Sequence, residues 1–138
     1  MSLPRNFQRL VDKAYERLDQ WEWKQALKLG KEIKAKRYSA GFEVIARAYW
    51  GLQQPKKAIA TLQEGVKTAP QVWILWEYFG HYLSDSKKYA KALKAFGCAL
   101  KCPGVSSGSV SYNIALVCKR QARYSEALKY AEIALTDR

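Results

Sequence analysis

The chain has 138 residues, enough for one domain or one short repeat array, and 49% of them are apolar, which predicts a folded protein. Its 24 lysines and arginines outnumber its 12 acids two to one, so the net charge is +12 and favours anionic partners. No apolar run approaches the ~20 residues of a membrane span, and the charged N-terminal segment is not a secretory signal. Three cysteines, an odd number, suit a reducing compartment, so we expect a cytoplasmic protein.

Apolar residues recur at helical spacing along the chain, and short polar or proline-containing stretches separate them. The pattern predicts eight helices in four antiparallel pairs, near residues 4–19, 22–36, 39–53, 55–68, 71–85, 88–101, 109–122 and 124–137. Ser39 is expected to cap the third helix, and Pro55 suits the first turn of the fourth. In the fifth helix, "WILWEYFGHYL", we expect Trp76, Phe79 and Gly80 to lie in the core.

Four segments share one short motif, an alanine followed by Leu or Ile, at Ala26, Ala58, Ala92 and Ala127. Their spacings are 32, 34 and 35 residues. Twelve residues before each alanine lies another small residue, and these are Ala14, Ala46, Gly80 and Ala115. A small residue recurring in phase four times predicts a repeat array rather than a single globular core.

These residues resemble the tetratricopeptide repeat (TPR), a helix–turn–helix of about 34 residues. The third unit matches the family pattern best, with Trp76, Phe79, Gly80 and Leu83 in its first helix and Ala92, Phe96 and Ala99 in its second. The first unit matches least well, because Lys13 stands where the family has a large apolar residue.

The resemblance implies an all-α fold, an α-solenoid of about four stacked antiparallel helix pairs in a right-handed superhelix. It further implies a single domain over residues 1–138, with repeats near 4–38, 39–70, 71–103 and 108–138. Small residues let neighbouring helices approach closely, and large residues fill the gaps between them.

In this family the first helices line a concave groove, so the resemblance implies a non-catalytic scaffold that binds a peptide segment or a helix of a partner protein. The candidate groove residues are Tyr15, Arg47, Trp50, Glu77, Tyr78, His81, Tyr112, Asn113 and Lys119. Aromatic residues and arginine commonly anchor interfaces. We hypothesise that Tyr15, Trp50, Tyr78 and Tyr112 form one aromatic row that binds the partner; the alternative is that these rings pack on each other.

Nothing in the sequence assembles a catalytic site, so we expect no enzyme activity. His81 is the single histidine, and no glycine-rich phosphate-binding loop followed by lysine is present. The cysteines complete no zinc pattern, and we interpret all three as packing or free thiols. The sequence therefore predicts no cofactor and no metal.

Two further interpretations stay open. The net charge also suits a basic helical-repeat module that binds nucleic acid or another polyanion, with lysines on the second helices as a convex stripe: Lys24, Lys28, Lys31, Lys34, Lys87, Lys88, Lys91 and Lys94. The last helix carries Leu128, Ala131, Ile133 and Leu135, which favours self-association or continuation of a longer array.

Overall fold

The structure is a computed structural model that describes residues 4–136, apart from the side chain of Leu135. Over that range it has eight α-helices and no strand, which confirms the all-α prediction. The helices are α1 (Arg5–Asp19), α2 (Trp23–Ala35), α3 (Ala40–Gly51), α4 (Pro55–Thr68), α5 (Trp73–Asp85), α6 (Tyr89–Leu100), α7 (Ser107–Arg120) and α8 (Tyr124–Thr136). The predicted helix ends lie within two residues of these, except that the predicted end at residue 137 lies outside the described residues.

The helices form two compact units, with the division between Ala69 and Pro70. In the first unit α1 packs on α2, α2 on α3, and α3 on α4, while α1 also contacts α3. The second unit has the same order: α5 packs on α6, α6 on α7, and α7 on α8, while α5 also contacts α7. Each unit therefore holds two stacked helix pairs, and the first helices of these two pairs contact each other.

The small residues that recur in the sequence lie where the helices approach. Ala14, Ala46, Gly80 and Ala115 of the first helices are all buried. In the second helices, Ala26, Ala58 and Ala92 are 0% exposed, and Ala127 is half-buried. The repeated small residues are thus confirmed as packing positions, and α8 is the second helix in which that position is least enclosed.

At three places between α2 and α3, a glycine leaves no room for a methyl group beside the other helix. These contacts join Gly51 to Trp23, Gly30 to Ile45 and Gly41 to Lys34. A methyl group on Gly41 would lie 2.5 Å from the backbone nitrogen of Lys34, and one on Gly30 would lie 2.9 Å from Cγ1 of Ile45. Because the contacts run in opposite sequence order, α2 and α3 are antiparallel and closely spaced over their whole lengths.

The turn inside each helix pair has the same backbone conformation in all four pairs. One residue in each turn has a positive φ of 58 to 64°, and these residues are Trp21, Gln53, Lys87 and Ala122. The next residue donates its N–H to a carbonyl five positions earlier, as Lys88 does to Leu83 at 2.8 Å. This Schellman geometry usually uses glycine at the left-handed position, and here it supplies partners for the last carbonyls of the first helix without one.

Two predicted core residues lie nearer the surface than the repeat pattern indicates. Trp76 and Phe79 are only half-buried, whereas Leu75 and Leu83 of the same helix are 1% and 3% exposed. The Trp76 indole donates its N–H to the carbonyl oxygen of Pro70 at 2.8 Å. An indole N–H needs a hydrogen-bond acceptor, which explains why Trp76 lies beside the loop before α5 rather than deep in the core.

Ser39 occupies the N-cap position of α3 as predicted, but the prediction that it caps the helix is wrong. Ser39 precedes α3 but has helical dihedral angles, and its side chain makes no capping hydrogen bond. Ser106 takes this role at α7, where its Oγ accepts a hydrogen bond from the N–H of Ser109 at 3.4 Å. Pro55 is confirmed in the first turn of α4.

We predict that Gly41→Ala destabilises the protein by about 1–3 kcal/mol, because the new methyl group must push the α2 backbone away. The matched control is Gly97→Ala in α6, where a methyl group would meet no atom within 4 Å. There the better helix propensity of alanine should stabilise the protein by about 0.5–1 kcal/mol. Urea denaturation measures both changes in unfolding free energy, and a neutral Gly41→Ala variant would contradict the close approach.

Candidate functional site

A buried carboxylate joins α1 to α3 in the first unit. Glu43 is 7% exposed, and its Oε1 accepts a hydrogen bond from the Tyr15 hydroxyl at 2.8 Å. Its Oε2 lies 3.0 Å from Nη1 of Arg47, one turn further along α3. The Arg47 guanidinium carbon is also 6.0 Å from the centre of the Tyr15 ring, within range for a cation–π contact. The predicted site residues Tyr15 and Arg47 are therefore brought together by Glu43.

The second unit joins its first helices through the equivalent acid. Glu77 lies 34 residues after Glu43, in the same position relative to the small residue of its helix. Its Oε2 accepts hydrogen bonds from the Ser109 hydroxyl at 2.6 Å and from the Asn113 side-chain amide at 3.2 Å. The predicted site residues Glu77 and Asn113 are thus in direct contact, and Ser109 is a third member of the cluster.

A second polar bridge connects the end of α5 to the end of α7. Arg120 Nη1 donates to Ser84 Oγ at 2.6 Å and lies 3.0 Å from Asp85 Oδ1. His81 Nε2 lies 3.4 Å from the other oxygen of Asp85. The predicted residue His81 therefore faces a carboxylate on its own helix, and Arg120 carries the contact across to α7.

The four aromatic residues of the hypothesised row differ in their surroundings. Tyr15 and Trp50 belong to the first unit and are half-buried. Tyr78 is half-buried in the second unit, where its ring centre is 5.9 Å from that of Tyr82. Tyr112 is 57% exposed, and Lys119 on the same helix is also exposed. Tyr112 and Lys119 are therefore the predicted site residues most open to a partner, and the continuous row remains a prediction.

The basic residues of the second helices are mostly exposed. Lys24, Lys28 and Lys31 on α2 are exposed, as are Lys87, Lys88, Lys91 and Lys94 around the start of α6. Lys34 differs, because it pairs with Glu64 at 3.0 Å and lies 5.2 Å from the centre of the Phe42 ring. None of the helices in residues 4–136 is long and apolar enough to cross a membrane.

The three cysteines are free thiols in different environments. Cys98 is half-buried, while Cys102 and Cys118 are buried. Burial, and then the proximity of Cys98, raises the pKa of the Cys102 thiol. Burial also raises the pKa of the Cys118 thiol, with Glu126 acting in the same direction and Arg123 against it. Among the described residues no group of three or more His, Cys, Asp and Glu side chains is arranged to hold a metal.

Comparison with known proteins finds the fold but no sequence relative. No protein-family model matches the chain, and no curated protein does. A thermophilic TPR protein from Thermus thermophilus is 22% identical, with a TM-score of 0.84, over 93% of this chain and 72% of its own. MamA is 17% identical, with a TM-score of 0.78, over 97% of this chain and 79% of its own. Pseudomonas aeruginosa pilF is 16% identical, with a TM-score of 0.84, over 93% of this chain and 59% of its own.

At these identities the comparison establishes the fold alone. The chain has a TPR-like fold, an α-solenoid built from helix pairs, as its repeated small residues predict.

We predict that Glu43→Ala destabilises the protein by about 1–3 kcal/mol, because it removes the acceptor shared by Tyr15 and Arg47 inside the structure. The matched control is Glu64→Ala, since Glu64 pairs with Lys34 but its side chain is 56% exposed. An exposed pair contributes about 0–1 kcal/mol, so the control should change little. Equal losses of unfolding free energy in the two variants would contradict a special role for the buried carboxylate.

We predict that Cys98 reacts first with a disulfide reagent such as DTNB at about pH 8, and that Cys102 and Cys118 react far more slowly. Burial limits access to these two thiols, and their raised pKa keeps them protonated. Absorbance at the thiolate product gives the rates, and Cys98→Ser should remove the fast phase. All the remaining thiols should react rapidly in concentrated guanidinium chloride; a fast phase that survives in folded Cys98→Ser would contradict the assignment.

Proposed function

We propose that residues 1–138 act as a single non-catalytic interaction domain that binds a peptide segment or a helix of a partner protein. The partner would lie against the first helices, in the concave groove that the TPR resemblance implies. The proposal rests on one observation above all. The first helices carry exposed and half-exposed aromatic and charged side chains, while their small residues are used for packing.

The polar bridges between first helices support the proposal. Glu43 holds Tyr15 and Arg47, and Glu77 holds Asn113, so these side chains are fixed before a partner arrives. Ordering a side chain on binding costs about 0.5–1.5 kcal/mol, and a surface that is already ordered avoids this cost. Tyr112 and Lys119 then provide accessible contact area and positive charge. The net charge of +12 favours an acidic partner segment.

The alternative function is binding of nucleic acid or another polyanion through the second helices. It is favoured by the exposed lysines Lys24, Lys28 and Lys31 on α2. Lys31 and Lys34 also line a surface cleft of about 440 Å³ together with Ile45 and Tyr49. Against it, Lys34 is already paired with Glu64, and exposed lysines on a helix are commonly only solvated.

Two double variants with matched changes test the proposal. Trp50→Ala/Lys119→Glu alters the first helices, whereas Trp21→Ala/Lys91→Glu makes the same changes at an exposed turn and on a second helix. Quantitative affinity capture should lose partner proteins about tenfold with the first variant and not with the second. Circular dichroism and thermal unfolding establish that both are folded.

Heparin chromatography distinguishes the alternative. Binding of a polyanion through the second helices predicts earlier elution for Lys91→Glu than for Lys119→Glu, and strong dependence on salt. Capture that is unchanged by the first double variant, together with this heparin result, would overturn the interaction-domain proposal in favour of polyanion binding.

A further inference from the structure

We infer that a cleft between α2 and α4, with α3 as its floor, binds a small amphipathic anion. Such a ligand has an apolar body and a single carboxylate, sulfonate or phosphate group. The cleft has a volume of about 440 Å³, within the range of about 300–1,000 Å³ that is common for small-molecule sites. Its lining residues are Lys31, Lys34, Ala35, Ile45, Tyr49 and Thr61. The inference goes beyond the proposed partner groove, because it concerns the side of α3 that faces the second helices.

The cleft arises from the way the two second helices pack. In the described part of the chain, α2 and α4 both pack on α3 and not on each other. Each of them presents a glycine to α3, so that Gly30 lies against Ile45 and Gly65 lies against Phe42. Phe42 and Ile45 are one turn apart and share the face of α3 between the two helices. Because the glycines carry no side chain, longer side chains beside them form the walls above this face.

The floor of the cleft is apolar. Ile45 is 5% exposed, and Tyr49, one turn further along α3, is half-buried. Ala35 at the end of α2 is exposed and adds a methyl group to the lining. An aliphatic chain or an aromatic ring placed on this floor would remove apolar surface of both molecules from water, which favours binding.

The rim of the cleft is positively charged. Lys57 of α4 lies beside the lining, with its Nζ 5.6 Å from the centre of the Tyr49 ring. Lys34 of α2 pairs with Glu64 of α4 at 3.0 Å, which neutralises its charge and connects the two walls. Lys31 and Lys57 are both exposed, so their ammonium groups are the ones that would meet an anion.

Floor and rim together define the class of ligand. An inorganic anion would leave the apolar floor uncovered, and a neutral apolar molecule would gain nothing from the lysines. A nucleic-acid strand carries a phosphate at every residue and needs a longer row of cations than Lys31 and Lys57 provide. The Thr61 hydroxyl donates to the carbonyl oxygen of Lys57 at 2.8 Å, and its oxygen can still accept a hydrogen bond from the ligand.

The test uses anilinonaphthalene sulfonate (ANS), an aromatic anion of this class, and the full ¹⁵N-labelled chain. Titration followed by NMR should give saturable shifts centred on Lys31, Ile45, Tyr49 and Thr61. Octanoate and AMP are titrated separately, and the tighter ligand identifies an aliphatic carboxylate or an aromatic phosphate as the preferred chemistry. Inorganic phosphate at the same concentration should not produce these shifts. If it produces them equally, the site recognises charge alone and the inference is overturned.

The double variant Lys31→Ala/Lys57→Ala should weaken ANS binding about fivefold, because each exposed ion pair contributes modestly. The matched control is Lys24→Ala/Lys56→Ala, which also removes one exposed lysine from α2 and one from α4. Its affinity for ANS should be unchanged. Equal weakening in the two variants would assign binding to the net charge and overturn the inference.

A second pair of variants tests the cleft itself while every lysine stays in place. Ala35→Trp should fill the cleft and abolish binding, whereas Ala60→Trp, at an exposed alanine of α4 outside the lining, should not. Circular dichroism and thermal unfolding establish that both are folded. Unchanged binding by folded Ala35→Trp, or no saturable shifts in the wild type at millimolar ligand, overturns the inference. The groove proposal is tested separately, because Trp50 and Lys119 are intact in all these variants.

Discussion

The fold depends on pairs of helices coming closer together than ordinary side chains allow. Glycine and alanine at recurring positions permit this approach, and at Gly41 one backbone lies against another. Large residues such as Phe96 and Leu62 then fill the space beside each contact, where both are essentially inaccessible to solvent. Since a lone helix pair cannot bury its apolar face, stacking of successive pairs is what makes the arrangement stable.

The sequence predicts this part of the structure well, because the steric requirement repeats along the chain. A position that requires a small residue shows alanine or glycine at a regular interval in the sequence, so Ala46 and Gly80 could be identified without coordinates. Helix periodicity is equally local, which explains why the ends of α4 at Pro55 and Thr68 agree with the prediction. A small residue at one position indicates little, but small residues in phase in four repeats identify packing positions.

The hydrogen-bond partners of individual side chains could not be predicted in the same way. Glu43 and Glu77 occupy equivalent positions, yet Glu43 bonds back to α1 while Glu77 bonds forward to α7. Their 34-residue spacing was visible in the sequence, but an acid on a helix is usually solvated, and nothing local indicates its partner. Trp76 likewise fits the family pattern, and only the nearby Pro70 carbonyl explains its partial exposure. The sequence therefore does not predict these contacts, and the location of the candidate site on the first helices stays a prediction.

The turns within the helix pairs contain positions at which a substitution should stabilise the protein. Trp21, Gln53, Lys87 and Ala122 adopt a left-handed conformation that costs a residue with a side chain roughly 1–2 kcal/mol. Replacing the residue at this position with glycine should therefore raise the free energy of unfolding. The gain remains positive after the larger backbone entropy that glycine loses on folding is subtracted. None of these four positions is itself one of the small residues that set the packing. Evolution or an engineer could use them to compensate for destabilising changes in the first helices, and so vary the proposed binding surface while the helix pairs keep their packing.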